Sequence, residues 1–164
     1  MIYKTCCFTG HRYFSRNQIS IIKNELIAKI EELIKQNVLY FVTGGALGFD
    51  TLVAEVILDL KKENDQIKLI LAVPCKDQAA RWKYEDRMIY ENIKGKADKV
   101  IYLSKEYKEG CMLERNRYMV DHSKFVIVAW DGRKSGGTFY TLNYAKKQRR
   151  NIILINFGGN YGST

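Results

Sequence analysis

Residues 41–50 constrain the fold of this chain more than any other stretch, because three glycines follow directly after a short apolar run. The apolar residues before Gly44 favour a strand, and the apolar pattern after Asp50 favours a helix. Gly44, Gly45 and Gly48 form a tight turn between them, where glycine permits a positive φ or a close approach to a ligand. A helix that begins at such a turn offers free N–H groups to an anion such as phosphate. The turn by itself leaves open whether its glycines serve geometry or a ligand.

A second turn of the same kind lies near the C-terminus and favours the phosphate interpretation. The continuous apolar run 125–130 is typical of a buried strand. Gly136, Gly137 and Thr138 then lead into a predicted helix over residues 138–148. Thr138 can cap this helix or bind phosphate, and the two roles are compatible. Two turns of this kind in one chain predict a phosphate-binding site.

The 164 residues are predicted to form one domain, 1–164, whose tail is frayed from about residue 157. Apolar residues make up 46% of the chain and charged residues 27%, which is typical of a soluble globular protein. No apolar run approaches the ~20 residues that a membrane span needs, and the N-terminus lacks the layout of a signal peptide. We therefore expect a cytoplasmic protein without a membrane partner.

The four cysteines do not form a metal-binding pattern, because no CxxC pair occurs. Cys6 and Cys7 are adjacent in a predicted strand and should point to opposite faces of the sheet. Cys75 and Cys111 stand alone. Buried thiols are expected, and neither a metal site nor a cofactor is predicted.

Strands and helices alternate along the whole chain, which favours an α/β fold with a mostly parallel sheet and helices on both faces. The first helix begins at Ser15, where Ser15 and Gln18 have the spacing of a capping box, and Asn37 is expected to close it. The predicted strands cover residues 2–8, 39–43, 67–73, 99–103, 125–130 and 152–155, and the later helices cover 51–63, 77–92, 113–122 and 138–148.

Three predicted loops, residues 10–12, 44–50 and 131–138, each follow a strand and combine glycine with polar side chains. In a parallel sheet, ligands bind beyond the carboxyl ends of the strands, where the strand order reverses. We therefore expect these loops to meet at one edge of the sheet and to form a pocket. Gly10 and Asp131 belong to this expected site.

Several side chains near these loops can carry chemistry. Arg12 can form a bidentate hydrogen bond with phosphate or carboxylate. His11 can donate a hydrogen bond to a ligand or form only local hydrogen bonds. Asp50 can favour the dipole of its helix or bind sugar hydroxyls, as acids do in dinucleotide folds. Arg115 and Arg117 are two apart on a predicted helix, so one can face the pocket while the other faces solvent.

Four ordered motifs, in residues 7–12, 43–50, 110–121 and 136–138, closely resemble the YpsA/YoqJ-type family of the SLOG superfamily, which is named for the Smf/DprA and LOG proteins. The similarity covers residues 5–155. It implies a Rossmann-like three-layer αβα sandwich with a nucleotide-type ligand on the glycine turns. Ligands of the superfamily are thought to include nucleotides and ADP-ribose-like signals.

The LOG branch of the superfamily consists of phosphoribohydrolases, and this chain resembles it only in part. Residues 112–115 match its Met-x-x-Arg helix, which makes Arg115 the counterpart of its arginine. The turn at 135–138 lacks the proline and the final glycine–threonine step, and residues 139–144 contain no glutamate. Cleavage of a glycosidic bond needs a carboxylate, for which Asp50 or Asp131 would have to substitute.

The DprA branch binds single-stranded DNA, and the net charge of +9 keeps this alternative open. The leading prediction is a cytoplasmic protein that binds and senses a nucleotide or a nucleotide derivative. A phosphoribohydrolase and a single-stranded DNA-binding protein are the alternatives, and a homodimer is an open question. The predicted ligand-binding residues are Gly10, His11, Arg12, Gly44, Gly45, Gly48, Asp50, Arg115, Asp131, Gly136, Gly137 and Thr138, with Arg115 and Asp50 as catalytic residues if the protein is an enzyme.

Overall fold

The computed structural model describes residues 1–157 and contains a six-stranded sheet with five α-helices in these residues. A short 3₁₀ turn, Ile2–Lys4, precedes the first strand. The strands are β1 (Thr5–Gly10), β2 (Tyr40–Thr43), β3 (Lys68–Val73), β4 (Lys99–Tyr102), β5 (Phe125–Ala129) and β6 (Asn151–Leu154). The helices are α1 (Arg16–Lys35), α2 (Phe49–Lys61), α3 (Tyr84–Lys96), α4 (Cys111–Asp121) and α5 (Gly136–Lys147).

The sheet is parallel throughout, and its strand order is β4-β3-β2-β1-β5-β6. From β1 the chain builds outward through β2, β3 and β4, and it then returns to the other side of β1 with β5. The strand order therefore reverses between β1 and β5, which is where a sheet of this kind opens a crevice. This arrangement confirms the predicted α/β, Rossmann-like fold.

Two hydrophobic cores cover the two faces of the sheet and make the molecule a three-layer sandwich. Cys6 lies in the core under α1, α2 and α3, whereas Cys7 lies in the core under α4 and α5. The adjacent cysteines point to opposite faces because side chains alternate along a strand, as predicted. Both thiols are buried and free.

The structure confirms both the predicted start and the predicted end of α1. The Gln18 backbone N–H donates to Ser15 Oγ, and the Ser15 backbone N–H donates to Gln18 Oε1, which completes the capping box. Asn37, two residues beyond the end of α1, has a φ of 68°. Asparagine tolerates this left-handed conformation better than most residues, and it ends the helix there.

The predicted boundaries were wrong at two places. Residues 2–4 form a 3₁₀ turn instead of a strand, and the Thr5 hydroxyl donates to the Met1 carbonyl across it. The segment 77–92, predicted as one helix, is a series of turns up to α3 at Tyr84. Gln78 Nε2 donates to the Gly45 carbonyl, so this segment is attached to the first glycine turn.

The C-terminal end also differs from the expectation. Phe157 is buried and packs edge-on against Phe14, although fraying was expected from about this position. The rest of the expected tail lies outside the described residues. No helix within residues 1–157 combines the length and the apolar character that a membrane span requires.

Candidate functional site

A cavity of about 230 Å³ opens at the carboxyl end of β1. The first turns of α2 and α5 and one face of α4 complete its walls. Its lining includes seven of the predicted site residues, namely Gly10, His11, Arg12, Asp50, Arg115, Gly137 and Thr138. The other five, namely Gly44, Gly45, Gly48, Asp131 and Gly136, do not line it.

The first glycine turn is packed against the protein's own atoms. A Cβ on Gly44 would overlap the Arg115 guanidinium and would lie 2.8 Å from Asp50 Oδ2. A Cβ on Gly48, which has a φ of 82°, would overlap the backbone of Arg12. Internal packing therefore requires glycine at both positions, and the positive φ is a second reason for glycine at position 48.

Arg115 and Asp50 form hydrogen bonds with the backbone of this turn. Arg115 Nη1 donates to the Gly44 carbonyl at 2.6 Å and to the Ala72 carbonyl at 3.3 Å, and Asp50 Oδ2 accepts the Ala46 backbone N–H at 3.1 Å. Burial raises the pKa of Asp50 and lowers the pKa of Arg115, and the opposite charge of each residue opposes the shift of the other. Both side chains line the cavity, so its wall carries a buried carboxyl group and a buried guanidinium.

The second glycine turn, by contrast, is open. Gly136 has a φ of 90°, and a Cβ on Gly136 or Gly137 would meet no atom within 4 Å. Ser135 precedes α5 without a capping hydrogen bond from its side chain, and the first turn of α5 contains no acidic residue. The N-terminus of α5 therefore faces the cavity without a capping side chain or a carboxylate of its own helix.

His11 connects the ends of β1 and β5 beside this turn. Its Nε2 accepts the Asp131 backbone N–H at 3.1 Å, which assigns the proton of the neutral ring to Nδ1. Nδ1 lies 3.5 Å from the Thr138 hydroxyl. Burial lowers the pKa of His11 below its ordinary value of 6.5, although the nearby Asp131 opposes this shift. His11 Nε2 also lies 3.3 Å from Asp131 Oδ1, so the ring contacts both the residue after β5 and the first turn of α5.

Arg12 is the free cation of the site. Its side chain is exposed and makes no hydrogen bond or ion pair with residues 1–157. It lines both the small cavity and a neighbouring groove of about 630 Å³. The guanidinium can therefore turn toward an anion in the cavity without breaking an existing contact.

Asn116 is a site residue that the sequence analysis missed. It lines the cavity, accepts a hydrogen bond from Arg115 Nε at 2.9 Å, and donates to Thr141 Oγ1 at 3.0 Å. Its position directly after the predicted site residue Arg115 was the one feature of the sequence that could have indicated a role in the site. Arg117 faces away from the cavity and donates to the Tyr140 hydroxyl, so the predicted divergence of Arg115 and Arg117 is confirmed.

Comparisons with known proteins agree with this architecture. The model of the YpsA family, described as the YspA SLOG family, matches residues 6–158. The uncharacterized SPbeta prophage-derived protein YoqJ of Bacillus subtilis is 40% identical over 139 residues, which cover 77% of this chain and 81% of YoqJ.

Two solved structures share the fold. DprA, a DNA processing protein, from Streptococcus pneumoniae superposes with a TM-score of 0.66 at 18% identity, covering 93% of this chain and 50% of DprA, so this chain spans half of that protein. DprA from Helicobacter pylori, whose structure concerns single-stranded DNA binding, superposes with a TM-score of 0.67 at 22% identity, covering 97% of this chain and 69% of DprA. Family match, relative and fold agree, and the chain belongs to the YpsA family of SLOG proteins.

Proposed function

We propose that the protein binds a nucleotide or a nucleotide derivative, with a phosphate over the N-terminus of α5. The observation that carries this proposal is the difference between the two glycine turns. Internal atoms explain the absence of a side chain at Gly44 and Gly48, whereas no atom within 4 Å explains it at Gly137. A glycine costs up to about 1 kcal/mol relative to alanine in a helix interior, and Gly137 carries part of this cost as the second residue of α5. Close approach of a ligand accounts for that cost.

The surrounding charges suit an anion. The first N–H groups of α5 and the helix dipole favour a phosphate, and the Thr138 hydroxyl adds a donor. Arg12 follows β1 and lines the same cavity, so its guanidinium would pair with the phosphate. Asp50, which also lines the cavity, would accept a ribose hydroxyl. Binding followed by sensing, rather than turnover, is the leading form of this proposal.

A thermal-shift screen tests the proposal with AMP, ADP-ribose, NAD, cyclic nucleotides and a short DNA oligomer. A small ligand at about 100 times its Kd stabilises a protein by roughly 2.7 kcal/mol. For a chain of this size, the Tm should rise by about 5–10 °C. No shift with any nucleotide of the panel, and no heat in a calorimetric titration, would contradict the proposal.

A phosphoribohydrolase is a second candidate, and Asp50 is the observation that favours it. This buried carboxyl lines the cavity, and burial raises its pKa, as is common for a catalytic acid or base. Incubation with nucleoside monophosphates should then release the free base, and Asp50→Asn should abolish the release. Absence of base release from every monophosphate tested would retire this candidate.

Single-stranded DNA binding is favoured by the groove that begins at Arg12. Basic Arg81 and Lys83 line this groove together with the aromatic Tyr13 and Trp82, although the carboxylates of Glu55 and Asp86 also line it. Basic grooves with stacking aromatics are typical of single-strand binders. The affinity for an oligomer should then fall steeply with added salt, and a flat salt response would count against this candidate.

A further inference from the structure

The small cavity can hold only part of a nucleotide. Its volume is about 230 Å³, whereas pockets for whole small ligands usually measure about 300–1,000 Å³. A phosphate over α5 would leave the base outside the cavity. This inference rests on the proposed function and asks where the base lies.

Two grooves border the cavity. One begins at Arg12 and is lined by residues of both charges, including the carboxylates of Glu55 and Asp86. The Trp82 ring in this groove already packs edge-on against Tyr90, with their centroids 5.2 Å apart. Carboxylates beside a phosphate-bearing ligand are unfavourable, so this groove suits the rest of a nucleotide poorly.

The other groove, of about 590 Å³, begins at Gly137, which also lines the small cavity. It runs along the outer face of α5, because positions 136, 140, 143, 144 and 147 lie on one side of a helix. Leu113 of α4 forms its opposite wall, and none of the described residues that line it is acidic. We call this groove the α5 shelf. The cavity and the α5 shelf adjoin at Gly137, which lines both of them.

The aromatic rings of the α5 shelf are held by their hydroxyl groups. The Tyr140 hydroxyl accepts a hydrogen bond from Arg117 Nη1 at 2.7 Å, and the Tyr144 hydroxyl donates to Asp121 Oδ1 at 2.7 Å. Tyr140 keeps 37% of its surface exposed. Both hydroxyl groups are thus hydrogen-bonded, and the Tyr140 ring keeps an exposed surface, which is what stacking on a planar base requires.

Asn143 also lines the α5 shelf, and its amide makes no hydrogen bond with residues 1–157. An asparagine amide carries a donor and an acceptor side by side and can pair with the edge of a base. We propose that the α5 shelf binds the base of a nucleotide, with Tyr140 stacking on the base and Asn143 reading its edge.

Calorimetric titration of the full chain with ribose 5-phosphate and with AMP tests this proposal. Stacking should make the Kd of AMP roughly 5- to 150-fold lower than that of ribose 5-phosphate. Tyr140→Ala should remove this difference without changing the Kd of ribose 5-phosphate, while Tyr140→Phe retains it. Asn143→Ala should narrow the spread of Kd among AMP, GMP, CMP and UMP.

The matched control is Tyr13→Ala, because Tyr13 is an exposed aromatic of the competing groove. It should leave both Kd values unchanged. Equal Kd values of AMP and ribose 5-phosphate for the wild type, or a loss of the difference in Tyr13→Ala but not in Tyr140→Ala, would overturn the α5 shelf alone. An unchanged spread of Kd in Asn143→Ala would overturn the role of that amide. A wild type that binds neither compound would overturn the proposed function as well.

Discussion

Gly137→Ala should stabilise the protein and weaken ligand binding at the same time. The new methyl group would meet no atom within 4 Å, so the folded state would not be strained. Alanine loses less conformational freedom on folding than glycine, and the gain in a helix is up to about 1 kcal/mol. The Tm should therefore rise by up to about 2–4 °C.

The same methyl group would occupy the approach to the N-terminus of α5. A phosphate pushed away from this position would lose at least one charge-assisted hydrogen bond, which is worth about 1.5–3 kcal/mol. The Kd of a bound nucleotide should then rise by roughly 10- to 150-fold. A gain in stability together with a loss of affinity is not expected of a glycine that serves only the fold.

The matched control is Gly95→Ala near the end of α3, where a Cβ would also meet no atom within 4 Å. Both variants should show a similar gain in urea denaturation, and only Gly137→Ala should lose affinity in calorimetric titration. Wild-type affinity in Gly137→Ala would refute the phosphate position. Destabilisation of Gly137→Ala would refute the claim that no internal contact requires this glycine.

Three further predictions concern the first glycine turn and His11. Gly44→Ala should destabilise the protein by about 1–3 kcal/mol in urea denaturation, because its methyl group would overlap Arg115, and wild-type stability would contradict that packing. Arg115→Met should cost about 3 kcal/mol or more by the same measurement, because it leaves Asp50 buried without its counter-charge, and a loss below about 1 kcal/mol would argue against this coupling. Because the folded-state pKa of His11 lies below its ordinary 6.5, its contribution to stability is present above that pH and declines as pH falls toward the folded-state pKa. The free energy of unfolding should fall less in His11→Gln than in the wild type between about pH 7 and about pH 5, and equal slopes would contradict this.

The sequence predicted the two glycine turns as equivalent phosphate sites, and the structure shows that their surroundings differ. The atoms nearest to a Cβ at Gly44 come from Arg115, which is 71 residues away along the chain. Local sequence carries no signal of such a contact. The role of the Gly136–Gly137 turn as a phosphate site remains a prediction, but its open surroundings support it.

Asn116 and the segment after Pro74 show a similar limit. Asn116 was not selected because its partners, Arg115 and Thr141, lie together only after α4 packs beside α5. The residues from 77 to 82 have helical character in sequence, yet the hydrogen bond from Gln78 to Gly45 holds them as turns. Long-range contacts overrode local preference at both places.

Local sequence patterns were sufficient to predict the alternation of strands and helices, the capping box of α1, the opposite faces of Cys6 and Cys7, and the loops at the carboxyl edge of the sheet. These features follow from local periodicity and from the geometry of parallel sheets. Three features became visible only in the folded chain. They are the difference between the filled and the open glycine turn, the burial of Arg115 beside an exposed Arg12, and the α5 shelf next to the cavity. Local sequence could not predict these features because the space around each residue is filled by atoms from distant parts of the chain.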